Sequence, residues 1–228
     1  MIRIYTLFTE RCSDEEVAAA SALLDAHERG RRDRFVFPEH ARLFTLAHGL
    51  VRRTLMAHLG TSELKFSENQ YGKPSVPGVE FNLSHTKGLV ALGISDEGAL
   101  GVDVETFERN TDVLSVAQHS FSDLEAADVT ACAPADRKER FFRYWTLKES
   151  YIKARGMGLH LPLKAFSFLL EEPHADHTSR IRIQMRADLG DKPERWYFEQ
   201  TKLELDYFLA VCSERQNATT PVIIVSAP

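Results

Sequence analysis

Two long helices, each followed by a group of short strands, set the fold that this sequence can adopt. The first helix is predicted from Glu39 to about Leu59 and the second from about Ala135 to Arg155. Gly60 and Gly156 follow them directly, as glycine often does where a helix ends. The segments beyond are rich in β-branched and aromatic residues, and some alternate apolar with polar side chains, as antiparallel strands do. We therefore predict an α+β fold of two similar halves, each a long helix packed on a small antiparallel sheet.

The strands are predicted in two groups. They run from Ile2 to Phe8, Val79 to Leu83, Leu89 to Ser95 and Ala99 to Glu105, and then from Phe166 to Leu170, Arg180 to Arg186, Trp196 to Lys202 and Tyr207 to Ser213. Two further helices begin at capping boxes, Ser13 to Glu16 and Ser122 to Glu125, and the first is predicted to run to about Gly30. Asp96 to Gly98 is predicted to form a hairpin turn. Val222 to Val225 has the composition of an additional edge strand, and the sequence leaves open whether it forms.

The protein is mildly acidic, with 28 Lys and Arg residues against 33 Asp and Glu residues and a net charge of −5. This balance argues against binding to nucleic acid or to an anionic membrane, both of which favour a basic surface. A local cluster of arginines near the N-terminus suits a small polyanion instead, and it comprises Arg29, Arg31, Arg32 and Arg34.

The three cysteines, Cys12, Cys132 and Cys212, are widely spaced and form no zinc motif. So few cysteines, in an odd number, are typical of reduced thiols in the cytosol. The sequence contains no recognisable secretory signal and no apolar run of membrane-spanning length. It therefore predicts a cytoplasmic protein that does not associate with membranes.

The second long helix places Glu149 and Lys153 on one face, four residues apart, with Trp145 one turn earlier. An exposed Glu–Lys pair is common on helices and stabilises them by only a few tenths of a kcal/mol. The pair therefore indicates function only in combination with other chemistry elsewhere in the chain.

Such chemistry is present in Asp103 and Glu105, two residues apart on a predicted strand. Their carboxylates point to one face of the strand, and Val102 and Val104 point to the other. Neighbouring carboxylates repel each other unless a cation lies between them, and Mg²⁺ typically binds one or two carboxylates together with substrate phosphates. The alternative is a strand end whose acidic side chains simply face water.

Ser84 and His85 follow a predicted strand, where a loop can present a hydroxyl group and an imidazole to a ligand. Histidine suits phosphate binding or acid–base chemistry, although a single histidine is more often structural. Tyr71 to Pro74 is a turn that exposes one cation, Lys73.

Taken in order, these motifs resemble those of the 4′-phosphopantetheinyl transferase superfamily. They are Tyr71-Gly72-Lys73-Pro74, Phe81-Asn82-Leu83-Ser84-His85, Gly101-Val102-Asp103-Val104-Glu105 and Trp145-Thr146-Leu147-Lys148-Glu149-Ser150-Tyr151-Ile152-Lys153. Each motif by itself is common, whereas the ordered set is specific. The length and two-half layout are similar to the monomeric Sfp-type subgroup rather than to the short trimeric holo-ACP synthases. The family fold relates the two halves by a pseudo-twofold axis.

The resemblance implies transfer of the 4′-phosphopantetheine group of coenzyme A to a serine of an apo acyl or peptidyl carrier protein, with release of 3′,5′-ADP. It implies that Mg²⁺ is held by Asp103, Glu105 and Glu149, and that Lys153 meets the phosphates. His85, beside Ser84, is implied to contact the 3′-phosphate. Further cations at the nucleotide site are implied to be Arg31, Lys73 and Arg42.

Residues 1–105 are accordingly expected to form an N-terminal half with the nucleotide contacts and the first metal carboxylates. Residues 106–228 are expected to form a C-terminal half with the helix that bears Glu149 and Lys153. Similarity to the Sfp-type subgroup also implies a monomer that serves non-ribosomal peptide, polyketide or related synthases, without naming the carrier.

Some alternatives stay open at this point. Either Glu149 or a metal-bound water is the general base, because a carboxylate bound to Mg²⁺ is a poor base. A coenzyme A-binding or carrier-binding module without turnover is a rival interpretation, and a Mg²⁺-dependent phosphohydrolase is another, although the sequence contains no P-loop.

Overall fold

The structure is a computed structural model that describes residues 1–108, 110–170, 181–214 and 222–227. Its helices are α1 (Asp14–Leu23), α2 (Ala26–Arg32), α3 (Pro38–Leu59), α4 (Val113–Ser120), α5 (Asp123–Ala131) and α6 (Arg137–Arg155). The two long helices predicted from the sequence are α3 and α6. Gly60 and Gly156 end them in the left-handed conformation, with φ of 64° and 62°. None of the described helices is long and apolar enough to span a membrane.

The strands are β1 (Ile2–Phe8), β2 (Ser67–Glu68), β3 (Pro74–Ser75), β4 (Glu80–Thr86), β5 (Leu89–Ser95), β6 (Leu100–Thr106), β7 (Phe166–Leu170), β8 (Ile181–Met185), β9 (Trp196–Leu203), β10 (Tyr207–Glu214) and β11 (Val222–Ser226). Four of them form a first sheet in the order β11-β1-β5-β4, and three form a second sheet in the order β6-β10-β9. The pairs β2–β3 and β7–β8 form two small sheets of their own.

Three apolar clusters hold these layers together. One lies between α3 and the first sheet, with Leu50 and Leu55 against Val90 and Leu92. Another lies between α6 and the second sheet. The third lies between the two sheets and joins Ile2, Ile4, Leu89, Ala91, Leu100, Val102, Val104, Tyr207, Leu209 and Val211. The prediction of an α+β fold, with each long helix packed on a small sheet, is confirmed, although the first sheet is not purely antiparallel because β1 and β11 run in parallel.

The two sheets meet where β4 runs beside β6, and here side chains replace a backbone ladder. Asn82 Oδ1 accepts a hydrogen bond from the Val102 amide over 2.8 Å, and Ser84 Oγ accepts one from the Val104 amide over 3.3 Å. Thr86 Oγ1 donates to Glu105 Oε2 over 3.3 Å. The polar side chains at alternate positions of β4 therefore supply hydrogen-bond partners to the edge of β6 that faces away from β10.

The structure differs from the sequence-based prediction at three places in the first half. Ser84 and His85, predicted to follow the strand in a loop, lie within β4, which runs to Thr86. The helix predicted to run to Gly30 ends at Leu23, because Leu24 turns into the core with 2% of its surface exposed and Asp25 starts a new capping box with Glu28. The predicted hairpin at Asp96 to Gly98 is wrong, since β5 pairs with β1 and β4 whereas β6 pairs with β10.

Other elements were left open or were not predicted. The segment whose state the sequence left open forms β11, which pairs in parallel with β1. Helix α4 was not predicted, and Asp112 caps it by accepting a hydrogen bond from the Ser115 amide over 3.2 Å.

Candidate active site

The site is built on a close approach between β6 and α6. A Cβ atom added to Gly101 would overlap the Ser150 carbonyl oxygen and the Ala154 amide nitrogen. Only glycine permits the strand and the helix to touch at this point. The contact places the residues that follow Gly101 on β6 directly beside the last two turns of α6, which carry Glu149 and Lys153.

Asp103 lies at the centre of the site, with 4% of its surface exposed. Its Oδ1 accepts hydrogen bonds from Lys153 Nζ over 2.6 Å and from Ser84 Oγ over 3.0 Å. Lys153 Nζ also donates to Ser84 Oγ over 2.8 Å. Asp103 Oδ2 is buried and has no hydrogen-bond partner among the described residues. A buried carboxylate oxygen without a partner is costly, so this atom is poised to receive a cation or a donor.

Glu149 stands beside this cluster. Burial and the negative charge of Asp103 raise the pKa of Glu149 to about 7, Lys153 opposes the rise, and Glu105 adds to it. The shift has two sources, because burial disfavours the charged form of Glu149 and the charges of Asp103 and Glu105 repel it. Such a group of acids gains stability from an additional positive charge.

The residues present fit a divalent cation, although they do not enclose one. Within the described ranges, no three Asp, Glu, His or Cys side chains already converge as a metal-binding cluster. The donor set nevertheless has the right chemistry, because hard cations such as Mg²⁺ take carboxylate oxygens and substrate phosphates. The unpartnered Oδ2 of Asp103 supports this fit.

A cavity of about 280 Å³ extends from the acidic cluster toward the turn of the first motif. Its lining combines Glu149 and Lys153 with the Tyr71 to Pro74 turn, Asn82 and Gly156. Asn69 fixes the turn, since its Oδ1 accepts from the Tyr71 and Lys73 amides, each over 2.9 Å, and its Nδ2 donates to the Gly156 carbonyl over 2.7 Å.

Lys73 lines this cavity, and its amine also has a structural role. Lys73 Nζ donates to the Leu100 carbonyl over 3.2 Å and to the Ala154 carbonyl over 3.4 Å, and it lies 3.7 Å from Glu80 Oε2. Burial lowers the pKa of Lys73, and Glu80 opposes that change. Lys73 thereby ties the turn to the start of β6 and to the end of α6.

A second cavity, of about 580 Å³, lies at the other end of β4. His85, Thr86 and Lys87 form one wall, and Arg42 and Phe44 of α3 form the opposite one. Partial loss of hydration lowers the pKa of His85, and the positive charges of Lys153 and His48 lower it further. His85 therefore lies close enough to Lys153 for the positive charge of the lysine to disfavour protonation of its ring.

The arginines predicted to be nucleotide contacts lie toward this second cavity. Arg31 places its guanidinium 5.4 Å from the ring centre of Phe44. Arg42 donates to Asp14 Oδ1 over 3.0 Å and to the Cys12 carbonyl. The structure therefore brings Ser84, Asp103, Glu149 and Lys153 together, whereas Arg31 and Arg42 lie away from the acidic cluster.

Sequence analysis missed two residues of the site, Asn82 and Thr86. Asn82 lines the smaller cavity and bonds to β6, and Thr86 donates to Glu105. The signal that would have found them is the period of two along β4, because Asn82, Ser84 and Thr86 share one face of the strand.

Several known proteins are similar to this chain. The sequence pattern of the 4′-phosphopantetheinyl transferase superfamily (ACPS) matches residues 99–212, which include Asp103, Glu149 and Lys153. The chain is 29% identical over 231 residues to the 4′-phosphopantetheinyl transferases ffp of Bacillus subtilis and Sfp of Bacillus subtilis strain 168, covering 99% of this chain and 98% of each relative. The crystal structure of the holo-[acyl-carrier-protein] synthase (AcpS) of Thermotoga maritima superposes with a TM-score of 0.40 and 18% identity, over 52% of this chain and 64% of that one.

Proposed function

The chain belongs to the 4′-phosphopantetheinyl transferase superfamily, and we propose that it transfers the 4′-phosphopantetheine group of coenzyme A to a serine of an apo carrier protein. In this reaction the serine oxygen bonds to the β-phosphorus of coenzyme A. The bond from that phosphorus to the bridging oxygen breaks, the serine proton passes to a base, and 3′,5′-ADP leaves.

One observation carries the proposal. Lys153 Nζ and Asp103 Oδ1 lie 2.6 Å apart between β6 and α6, with Glu149 close enough for the Asp103 charge to raise its pKa. Phosphoryl transfer depends mainly on positioning and on neutralising charge at the phosphates. Lys153 lies beside carboxylates that a bound cation would stabilise, and its ammonium group can neutralise charge on a phosphate.

The remaining site residues are proposed to hold coenzyme A along β4. We assign Lys153 to the diphosphate, and His85 with Ser84 to the 3′-phosphate. Lys73 lines the nucleotide side beside the Tyr71 to Pro74 turn. Arg31 and Arg42, which lie toward the second cavity, supply further positive charge for the anionic substrate.

Asp103, Glu105 and Glu149 are proposed to hold Mg²⁺, which when bound would neutralise charge on the diphosphate. The unpartnered Asp103 Oδ2 supports this assignment. Glu149, with a pKa of about 7 in the protein alone, is matched to accept a proton from the carrier serine near neutral pH. Glu149 bound to a cation would be a weaker base, so direct proton transfer and transfer through a water remain two alternatives for this residue.

The partners proposed are coenzyme A and apo acyl or peptidyl carrier proteins of non-ribosomal peptide, polyketide or related synthases. A monomer is proposed because one chain supplies all four residues Asp103, Glu105, Glu149 and Lys153, with residues 1–105 contributing two of them and residues 106–228 the others. Cys12, Cys132 and Cys212 are not joined by disulfides, which supports a cytoplasmic location.

The deciding experiment is intact-mass spectrometry of an apo peptidyl carrier protein incubated with this protein, coenzyme A and Mg²⁺, with and without EDTA. The expected result is a gain of one phosphopantetheine that EDTA abolishes. Consumption of coenzyme A without any carrier would favour a phosphohydrolase. Binding of coenzyme A without a mass gain on peptidyl or acyl carriers would favour a binding module and contradict the proposal.

A further inference from the structure

Asp191 is a buried carboxylate that no motif contains and that the reaction does not use. It lies in the connection between β8 and β9, and 3% of its side chain is exposed. Its Oδ2 accepts hydrogen bonds from three side chains: Tyr151 Oη over 2.7 Å, Arg155 over 2.6 Å and Trp196 Nε1 over 2.7 Å. The Lys192 amide donates to its Oδ1 over 2.8 Å. Both oxygens of Asp191 are therefore engaged.

Two of these donors belong to the same part of α6 as the candidate catalytic residues. Tyr151 and Arg155 alternate along the helix with Glu149 and Lys153. Residues two apart on an α-helix point about 200° apart, so the two pairs occupy opposite faces. Asp191 holds one face while Asp103 contacts the other. The last two turns of α6 are thus fixed from both sides.

The contacts around Tyr151 make this attachment rigid. Tyr151 is fully buried, and its ring packs edge-on against Trp196 at 5.4 Å and Phe166 at 4.9 Å between ring centres. Arg155 donates to the Tyr151 hydroxyl over 2.8 Å as well as to Asp191. Charge-assisted hydrogen bonds of this kind fix geometry as well as adding energy.

We propose that Asp191 is a positioning residue for the reaction, which acts by setting the rotation and the end position of α6 and thereby the placement of Lys153 against Asp103. The inference rests on the proposed function. Residues at a phosphoryl-transfer site must be held within about 0.5 Å of the productive geometry. A loosened α6 would lose activity even while the protein stays folded.

A double-mutant cycle tests the proposal, because a residue that acts through Lys153 loses its effect when Lys153 is absent. Wild type, Asp191→Asn, Lys153→Ala and the double variant are assayed for carrier modification at a temperature at which circular dichroism shows all four folded. We expect Asp191→Asn to lower kcat/KM at least fivefold, and the double variant to match Lys153→Ala within twofold. Asp188→Asn is the control, since Asp188 lies in the same connection with a side chain that is 62% exposed.

The outcomes separate the two proposals. An inactive wild type would refute the proposed function itself. An active wild type with normal Asp191→Asn kinetics, or with independent effects that multiply in the double variant, would overturn the positioning role alone. If Asp191→Asn does not fold, Tyr151→Phe takes its place in the same cycle, because it removes one donor to Asp191 and keeps the aromatic ring.

Discussion

Lys153 Nζ lies 2.6 Å from Asp103 Oδ1, and this ion pair joins α6 to β6 of the second sheet. Within the described residues, the lysine is the cation that Asp103 contacts. The pair therefore has two roles, because it stabilises a buried carboxylate and presents a positive charge at the site.

Replacing Lys153 with alanine tests both roles. Loss of the ammonium group is expected to slow carrier modification at least tenfold, which corresponds to about 1.4 kcal/mol of transition-state stabilisation. It also leaves Asp103 buried without its cation, so the free energy of unfolding should fall by about 2–4 kcal/mol. Rates come from the mass assay and stability from urea unfolding. Lys65→Ala, which removes an exposed lysine, should change neither; an unchanged rate in Lys153→Ala would remove Lys153 from the mechanism.

Gly101→Ala should disrupt the site by separating β6 from α6. The added methyl group has no room against the Ser150 carbonyl and the Ala154 amide, so the helix must shift. We expect a loss of about 2–3 kcal/mol in the free energy of unfolding, at the upper end for overpacking, together with a loss of activity. Gly30→Ala is the matched control. Gly30 lies in α2 with open space around it, and alanine there should be neutral or slightly stabilising. Equal effects of the two substitutions would contradict the close-approach argument.

Glu149→Gln should abolish transfer and at the same time stabilise the metal-free protein at alkaline pH. The folded protein raises the Glu149 pKa from 4.5 to about 7, so the ionised form is disfavoured by folding. Wild type therefore loses stability relative to the variant as the pH rises from about 4.5 through about 7. In EDTA, the melting temperatures of the two proteins should agree near pH 5, and the variant should melt higher at pH 8. A variant that melts lower at pH 8, or that transfers at the wild-type rate, would contradict this account of Glu149.

Glu28→Gln should destabilise the protein at neutral pH but not in acid. Burial raises the Glu28 pKa, yet hydrogen bonds from His48, the Asp25 backbone and Arg52 outweigh it and bring the pKa from 4.5 to about 2. Arg52 Nε lies 2.5 Å from Glu28 Oε2. A pKa depressed in the folded state contributes stability above the unfolded value, here on the order of 3 kcal/mol.

The stability difference between wild type and Glu28→Gln should therefore shrink as the pH falls from about 4.5 toward 2. Urea unfolding at a series of pH values measures it. Glu15→Gln, at an exposed position of α1, is the control. A difference that stays constant with pH would mean that Glu28 is not held ionised by its partners.

The sequence was sufficient to predict the long helices and most strands because their signals are local. Terminal glycines and apolar periodicity specify where α3 and α6 end, and these predictions were confirmed. The ordered motifs also placed Asp103, Glu149 and Lys153 in one family pattern, and the structure brings those three residues together.

The pairing between strands could not be predicted from local sequence signals. The turn at Asp96 to Gly98 has the length of a hairpin, yet β5 is buried on both faces between β1 and β4, and so β6 passes to the other sheet. The role of Asp191 could not be predicted from the sequence either. It depends on side-chain contacts with Trp196 and with Tyr151 and Arg155, and the last two lie far from Asp191 in the sequence.

The side chains of Asn82, Ser84 and Thr86 join β4 to β6, where a sheet would normally use backbone hydrogen bonds. The junction between the two sheets therefore depends on which residues occupy these three positions. A ladder of backbone hydrogen bonds is indifferent to side-chain identity, and substitution alters it little. A joint made of an amide and two hydroxyl groups has a width that depends on the length of each side chain. Exchanging these three residues should therefore change the spacing between β4 and β6, and with it the position of Asp103 relative to β4.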